Sequence, residues 1–161
     1  MKLGRFVQAG FVTAVIDGTF SSVLSRFFYG STVTRLWQGV ASVLLGPDAM
    51  NGGLRTALIG LAMHVGVAFA WTTVFLILLA VIPALGRIAH ARFGLIGLSA
   101  IYGPIVWMTM SFVVIPSMTG KPPSITYRWW VQFFGHMVFV ALPIVATLTA
   151  RPASDAGAPD Y

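Results

Sequence analysis

The sequence predicts an all-α, polytopic membrane protein in which four transmembrane helices form one bundle. Two observations predict this architecture. First, 57% of the 161 residues are hydrophobic and only 9% are charged, whereas about 25% of the residues in a soluble domain are charged. Second, four segments reach the length of about 20 mostly apolar residues that a helix needs to cross a bilayer. A lipid environment accepts the apolar exterior that this composition creates.

The predicted spans make residues 1–150 a single transmembrane domain. Turn-forming sequences separate the spans, with Gly46-Pro47-Asp48 before the second and Gly120-Lys121-Pro122-Pro123 before the fourth. Residues 151–161 are rich in Pro, Ala and Asp, and we predict that they form a disordered tail. The spans are predicted at residues 6–28, 54–82, 94–116 and 125–148.

The segment between the first two spans, residues 31–53, is too short to cross the bilayer. Arg35 and Trp37 stand near its start and apolar residues follow them, a pattern typical of helices that lie in the membrane interface. We therefore predict a short interfacial or re-entrant helix after the first span. An ordinary structured loop is the alternative.

The net charge of +6 comes from basic residues that are scattered singly along the chain. They flank the apolar segments, as residues that anchor helix ends against anionic headgroups do. Nucleic-acid binding is not expected, because the sequence lacks a basic face with interleaved aromatic side chains. The sequence has no cysteine, which excludes disulfides, thiolate metal sites and cysteine nucleophiles.

The orientation in the membrane is weakly determined by the sequence. Four spans place both termini on one side, and the basic residues then divide five against five between the two sides. The rule that basic residues favour the cytoplasmic side therefore does not choose between the orientations. We take both termini as cytoplasmic by default.

Three ionisable residues lie far from the ends of the predicted spans: Asp17, His64 and His136. An aspartate at a helix centre costs about 2.5–3.5 kcal/mol on insertion, so it normally has a partner or a function. With a rise of about 1.5 Å per residue, all three lie about 12–16 Å from the helix ends on one side of the membrane. We predict that they share one polar layer near the midplane, with Gln132 on the same helix face as His136.

Three hypotheses for this polar layer remain open. In the first, the polar groups only fix helix register through hydrogen bonds, and the protein is a non-enzymatic structural or accessory subunit that contacts lipid and other membrane subunits. In the second, His64 and His136 are axial ligands of haem b in an electron-transfer protein, with Arg55 or Arg128 near the propionates. In the third, the layer conducts protons or a small solute. The sequence contains no complete catalytic or transport signature and predicts no other metal site.

Several stretches form a recognisable pattern: QGVASVLLG at 38–46, Gly52-Gly53, TALIGLAMH at 56–64, residues 110–116 and HMVFVALPI at 136–144. This pattern resembles an uncharacterised family of small bacterial four-helix integral membrane proteins, whose function is unknown. The resemblance covers most of residues 6–150, and it implies a location in the bacterial inner membrane. It also implies that Asp17, His64 and His136 occupy positions where the family pattern has Asp and His. The sequence departs from the pattern at Ser111 and Ser117, where Asn and Leu are expected.

Overall fold

The computed structural model describes residues 3–150, and all regular structure in this range is helical. Four helices are long and apolar enough to cross a membrane, which confirms the predicted number of candidate spans. The tail predicted at 151–161 lies outside the described residues. The spanning helices are α1 (Leu3–Phe28), α3 (Gly53–Val81), α5 (Gly94–Thr119) and α6 (Tyr127–Thr149), and the shorter ones are α2 (Val33–Leu45) and α4 (Ala84–Ala89).

A helix does follow the first span, where the sequence predicted one. Thr32 caps the N-terminus of α2, because its side chain accepts a hydrogen bond of 3.1 Å from the backbone N–H of Arg35. Within the same helix, Gln38 donates from Nε2 to the carbonyl of Gly53, the last residue of the 31–53 segment, at 3.0 Å. This bond ties α2 to the first residue of α3.

Two of the spanning helices widen into a π-helical turn just before a proline. The turn Met110–Val114 precedes Pro116, and the turn His136–Ala141 precedes Pro143. A proline inside a helix lacks an N–H, and its ring clashes with the carbonyl four residues earlier. In both helices that carbonyl belongs to the π-helical turn, so the wider turn accommodates the proline. Such turns occur frequently at functional sites.

Small residues set the closest contacts between helices. Gly60 of α3 packs against the backbone carbonyl of Trp37 in α2, and Gly103 of α5 packs against the backbone of His136 in α6. A Cβ atom at either glycine would overlap that backbone. Because lipid supplies no hydrophobic drive between helices, close approach at small residues provides the packing.

One end of the bundle is tightly filled, and we call it the packed half. It lies where α1 and α5 begin and where α3 and α6 end. Its polar side chains are satisfied: Thr72 and Ser99 donate to carbonyls of their own helices, and the Tyr102 hydroxyl donates to the carbonyl of Trp71. The buried cluster comprises Ala9, Phe75, Tyr102, Val106, Val140, Ala141, Ile144, Val145 and Leu148. The opposite end holds two cavities, and we call it the cavity half.

Candidate functional site

A cavity of about 480 Å³ lies inside the cavity half, between α1, α2, α3, α5 and α6. We call it the deep cavity. All four residues of the predicted polar layer line it, namely Asp17, His64, Gln132 and His136. The structure therefore brings these residues to one place. The rest of the lining is largely apolar, aromatic or sulfur-containing and includes Val67, Trp71, Trp107, Met63, Met110 and Met118.

The side chain of His64 is turned toward α1. Its Nε2 lies 3.1 Å from the carbonyl oxygen of Ala14, and because a carbonyl only accepts, Nε2 is the donor. Its Nδ1 lies 3.8 Å from Oδ2 of Asp17, which is an ion-pair distance and is too long for a hydrogen bond. Gly18 leaves room for the imidazole, since a Cβ there would lie 3.3 Å from Nε2. The ring also packs against Trp37, with centroids 5.1 Å apart.

The tautomer that the Ala14 carbonyl selects limits what His64 can offer to Asp17. When Nε2 carries the proton of a neutral imidazole, Nδ1 has only a lone pair to present to the carboxylate. A lone pair facing a buried carboxylate is unfavourable in a medium of low dielectric. The contact with Asp17 therefore supplies no hydrogen bond, in keeping with its length of 3.8 Å.

The imidazole of His136 is oriented by its own helix. Nδ1 lies 2.7 Å from the carbonyl oxygen of Gln132, so Nδ1 is the donor and Nε2 of the neutral ring is an acceptor. The residue begins the π-helical turn of α6, and its ring lies 4.8 Å from that of Trp107. Gln132 thus contributes its backbone to the site as well as its side chain.

The arrangement does not fit a haem held by both histidines. Such a haem needs one free nitrogen from each imidazole, but the two nitrogens of His64 face the carbonyl of Ala14 and the carboxylate of Asp17. Of the glycines near the two histidines in sequence, Gly60 and Gly135 pack against Trp37 and Phe20, whereas Gly66 borders the deep cavity. Within residues 3–150, no group of three or more metal-ligating side chains of the His, Cys, Asp and Glu types is found.

Three buried polar atoms beside the deep cavity have no hydrogen-bond partner within the described part of the chain. They are Oγ1 of Thr13, Oδ1 of Asp17 and Nε1 of Trp107. All three residues line the cavity. An unsatisfied buried group costs about 1–3 kcal/mol, so three of them around one cavity are a substantial cost. Together they offer one donor, one acceptor and one hydroxyl that can act as either.

Two of these residues, Thr13 and Trp107, were missed by the sequence analysis. Trp107 carried a usable signal, because it lies near the middle of α5, whereas tryptophan in membrane proteins is enriched at the two interfaces. Thr13 carried none. A threonine in a membrane helix commonly bonds to its own backbone, and only the fold shows that this one does not.

A second cavity, of about 890 Å³, adjoins the deep cavity at the ends of α5 and α1 and the start of α6. We call it the mouth. Tyr29, Lys121 and Arg128 line it, and Trp129 beside them donates from Nε1 to Oγ of Ser111 at 2.6 Å. The two cavities are contiguous, because they share the lining residues Val43, Trp107, Ile115, Met118 and Gln132.

The combined pocket is open in two directions and closed in a third. The mouth opens it at the end of the bundle, and Gly66 and Ala70 of α3 line the deep cavity while being exposed on the outside of the bundle. This lateral opening lies between α3, which packs on α1 and α2, and α5, which packs on α6. Toward the packed half the pocket is closed by fully buried side chains, Phe75 and Ile144 among them.

Comparisons with family models, with curated proteins and with solved structures gave no match to this chain. The resemblance to a bacterial four-helix family therefore stays a prediction.

Proposed function

We propose that the protein is a non-enzymatic protein of the bacterial inner membrane that binds one small, mostly apolar molecule inside its helix bundle. The deep cavity carries this proposal. Its volume of about 480 Å³ falls within the range of about 300–1,000 Å³ found for ligand pockets. Such pockets are mainly apolar with a few placed polar groups, and Thr13, Asp17 and Trp107 supply those groups here.

Binding is favoured over conduction because the pocket has access from only one end of the bundle. A proton or solute crossing the membrane would have to pass through the packed half, where Phe75, Ile144 and Val145 are at most 2% exposed. The polar side chains of that half are bonded to carbonyls of neighbouring residues or helices. These hydroxyl groups therefore do not extend the polar layer of Asp17, His64 and His136 toward the other end of the bundle.

We propose a non-enzymatic role because both histidine rings contact groups of the bundle itself. His64 faces the Ala14 carbonyl and Asp17, and His136 donates to the carbonyl of Gln132. These contacts orient the rings and hold α3 against α1. A structural role in a larger membrane complex is compatible with this binding role, since the bound molecule would complete the packing of the cavity half.

In this proposal α2 is a re-entrant helix that forms one wall of the deep cavity. The carbonyl of Trp37 packs against Gly60, about 10 Å along α3 from its start at Gly53. Leu36 and Val40 of α2 line the deep cavity together with Asp17. A helix that lay flat on the membrane surface would not reach this depth. With both termini in the cytoplasm, the mouth faces the periplasm.

Quenching of tryptophan fluorescence tests the proposal, with a bromine-tipped dodecanol as the probe. Trp71 and Trp107 line the deep cavity, and bromine quenches tryptophan only at short range. A matched pair of variants controls for partition into the membrane. Gly66→Leu adds a side chain at the lateral opening, whereas Gly97→Leu adds one at an exposed position that lines neither cavity; a Cβ meets open space at both glycines.

We expect saturable quenching in the wild type and in Gly97→Leu, and at least about fivefold weaker binding in Gly66→Leu, since the new side chain competes for the cavity. Quenching that rises linearly with probe concentration and is identical in all three proteins would contradict the proposed binding function.

A further inference from the structure

The mouth has a one-sided charge. Lys121 and Arg128 line it, and its lining contains no acidic residue. The helix ends around it add Arg26, Arg35 and Arg55, against the single carboxylate of Asp48. A concave surface lined with one sign of charge attracts ligands of the other sign. The mouth is therefore suited to an anionic group.

The residues of the mouth also hold Arg128 in place. Its guanidinium carbon lies 4.4 Å from the centre of the Tyr29 ring, and its Nε donates to the Tyr127 hydroxyl at 3.2 Å. These contacts fix the guanidinium while its terminal nitrogens make no hydrogen bond within residues 3–150. A fixed guanidinium loses little conformational freedom when it binds a phosphate, and its planar fork matches two phosphate oxygens.

Tyr29 provides a further donor. Its hydroxyl is buried and has no hydrogen-bond partner within the described residues. Burial raises the pKa of this phenol, the neighbouring Tyr127 raises it further, and Arg128 partly offsets the two. The hydroxyl therefore keeps its proton at neutral pH and can donate it to an anion. Ser124 and Thr126, which also line the mouth, add two more hydroxyl groups.

The deep cavity continues from the mouth and has the opposite character. The shared wall of Trp107, Ile115 and Met118 leads from the cationic mouth into a mainly apolar space at membrane depth. A molecule that fills both spaces has an anionic head and an apolar chain. Its polar end lies at the mouth, where Lys121 and Arg128 can pair with an anion, whereas no Lys or Arg lines the deep cavity.

The lateral opening favours a molecule that comes from the bilayer. Gly66 and Ala70 are exposed beside the deep cavity, so a chain can enter sideways between α3 and α5 while a second chain stays in the surrounding lipid. A soluble phosphate compound would need only the mouth and would leave the deep cavity empty.

From these observations we infer that the bound molecule is an anionic phospholipid, with its phosphate at Lys121 and Arg128 and one acyl chain in the deep cavity. This inference rests on the proposed binding function and specifies its ligand class.

Native mass spectrometry of the delipidated protein tests the inference. The probes are phosphatidylglycerol, diacylglycerol with the same chains, and inorganic phosphate. We expect one phosphatidylglycerol per protein, with weaker binding of the two other probes. The double variant Lys121→Gln with Arg128→Gln should bind phosphatidylglycerol about tenfold more weakly, because two partly exposed charge-assisted contacts are lost. The control Arg87→Gln with Arg92→Gln removes two exposed cations at the opposite end and should bind like the wild type.

Each contrary outcome is informative. Equal binding of diacylglycerol, an unchanged double variant, or an equal loss in the control variant would overturn the headgroup assignment. Inorganic phosphate that displaces phosphatidylglycerol at equal concentration would show an anion site that does not need the chain, and would overturn the lipid assignment. If the brominated dodecanol still binds saturably in any of these cases, the proposed binding function stands; if it does not, that function fails as well.

Discussion

The two halves of the bundle are built from the same four helices, yet they use their side chains differently. In the packed half, Phe75, Ile144 and Val145 are fully buried and the polar groups have partners. In the cavity half, polar atoms of Thr13, Asp17 and Trp107 lack partners beside an open space.

We interpret this difference in terms of the proposed binding function. Lipid does not press helices together, so a membrane bundle is stabilised by shape complementarity and by satisfied hydrogen bonds. The packed half follows this rule. The cavity half departs from it, at a cost that residues used only for structure would not need to bear. Each unsatisfied group in a native structure calls for an explanation, and a bound molecule that supplies partners and fills the space is the explanation we propose.

The largest expected difference between the halves is the cost of truncating a side chain. Ile144 is 0% exposed in the packed half, whereas Met63 is half-buried and borders the deep cavity. We predict that Ile144→Ala lowers the free energy of unfolding by about 2–5 kcal/mol. Met63→Ala should lower it by less than about 1 kcal/mol, because fewer contacts are lost next to an existing void.

Unfolding of both variants in mixed detergent and dodecyl sulfate micelles measures the two costs. Equal destabilisation would mean that the cavity half is as tightly packed as the other half, and the contrast between them would be lost.

A smaller effect separates two threonines that differ in their hydrogen bonds. The hydroxyl of Thr72 donates to the carbonyl of Ala68 at 2.8 Å in the packed half, whereas that of Thr13 is buried without a partner among the described residues. Thr72→Val should therefore lower the stability of the lipid-free protein by about 0.5–1.5 kcal/mol. Thr13→Val should leave it unchanged or raise it by up to about 1 kcal/mol, because an unsatisfied group is removed.

The same unfolding titration, run without added lipid, distinguishes the two variants. A loss of stability in Thr13→Val that matches the loss in Thr72→Val would indicate that the Thr13 hydroxyl has a partner in the empty protein.

Much of the fold could be predicted from the sequence because it depends on local properties. Length and hydropathy located the four candidate spans. The helix ends differ from the predicted bounds by a few residues, as at Leu3 for the start of α1 and Val81 for the end of α3. The common depth of Asp17, His64 and His136 followed from the constant rise of an α-helix. That calculation is reliable because it requires only antiparallel neighbours.

The rest depended on contacts between helices, which the sequence does not specify. The ring of His64 could face another histidine or α1, and only the fold shows that it faces Ala14 and Asp17. The deep cavity lies between α3 and α5 among other helices, and no single segment encodes this gap. Pro116 and Pro143 each follow a π-helical turn, but a proline alone does not specify this form, since Pro104 lies inside a regular α-helical stretch.

The proposed binding function requires a pocket that is closed toward the packed half, and cysteine labelling in sealed vesicles tests this closure most directly. The chain has no cysteine of its own, so single cysteines report without background. Gln132 borders both the mouth and the deep cavity, whereas Ile144 is 0% exposed in the packed half. We predict that a small membrane-impermeant thiol reagent labels Gln132→Cys from one side of the membrane only and leaves Ile144→Cys unlabelled from both. Labelling of Gln132→Cys from both sides, or of Ile144→Cys from either, would contradict the one-sided pocket.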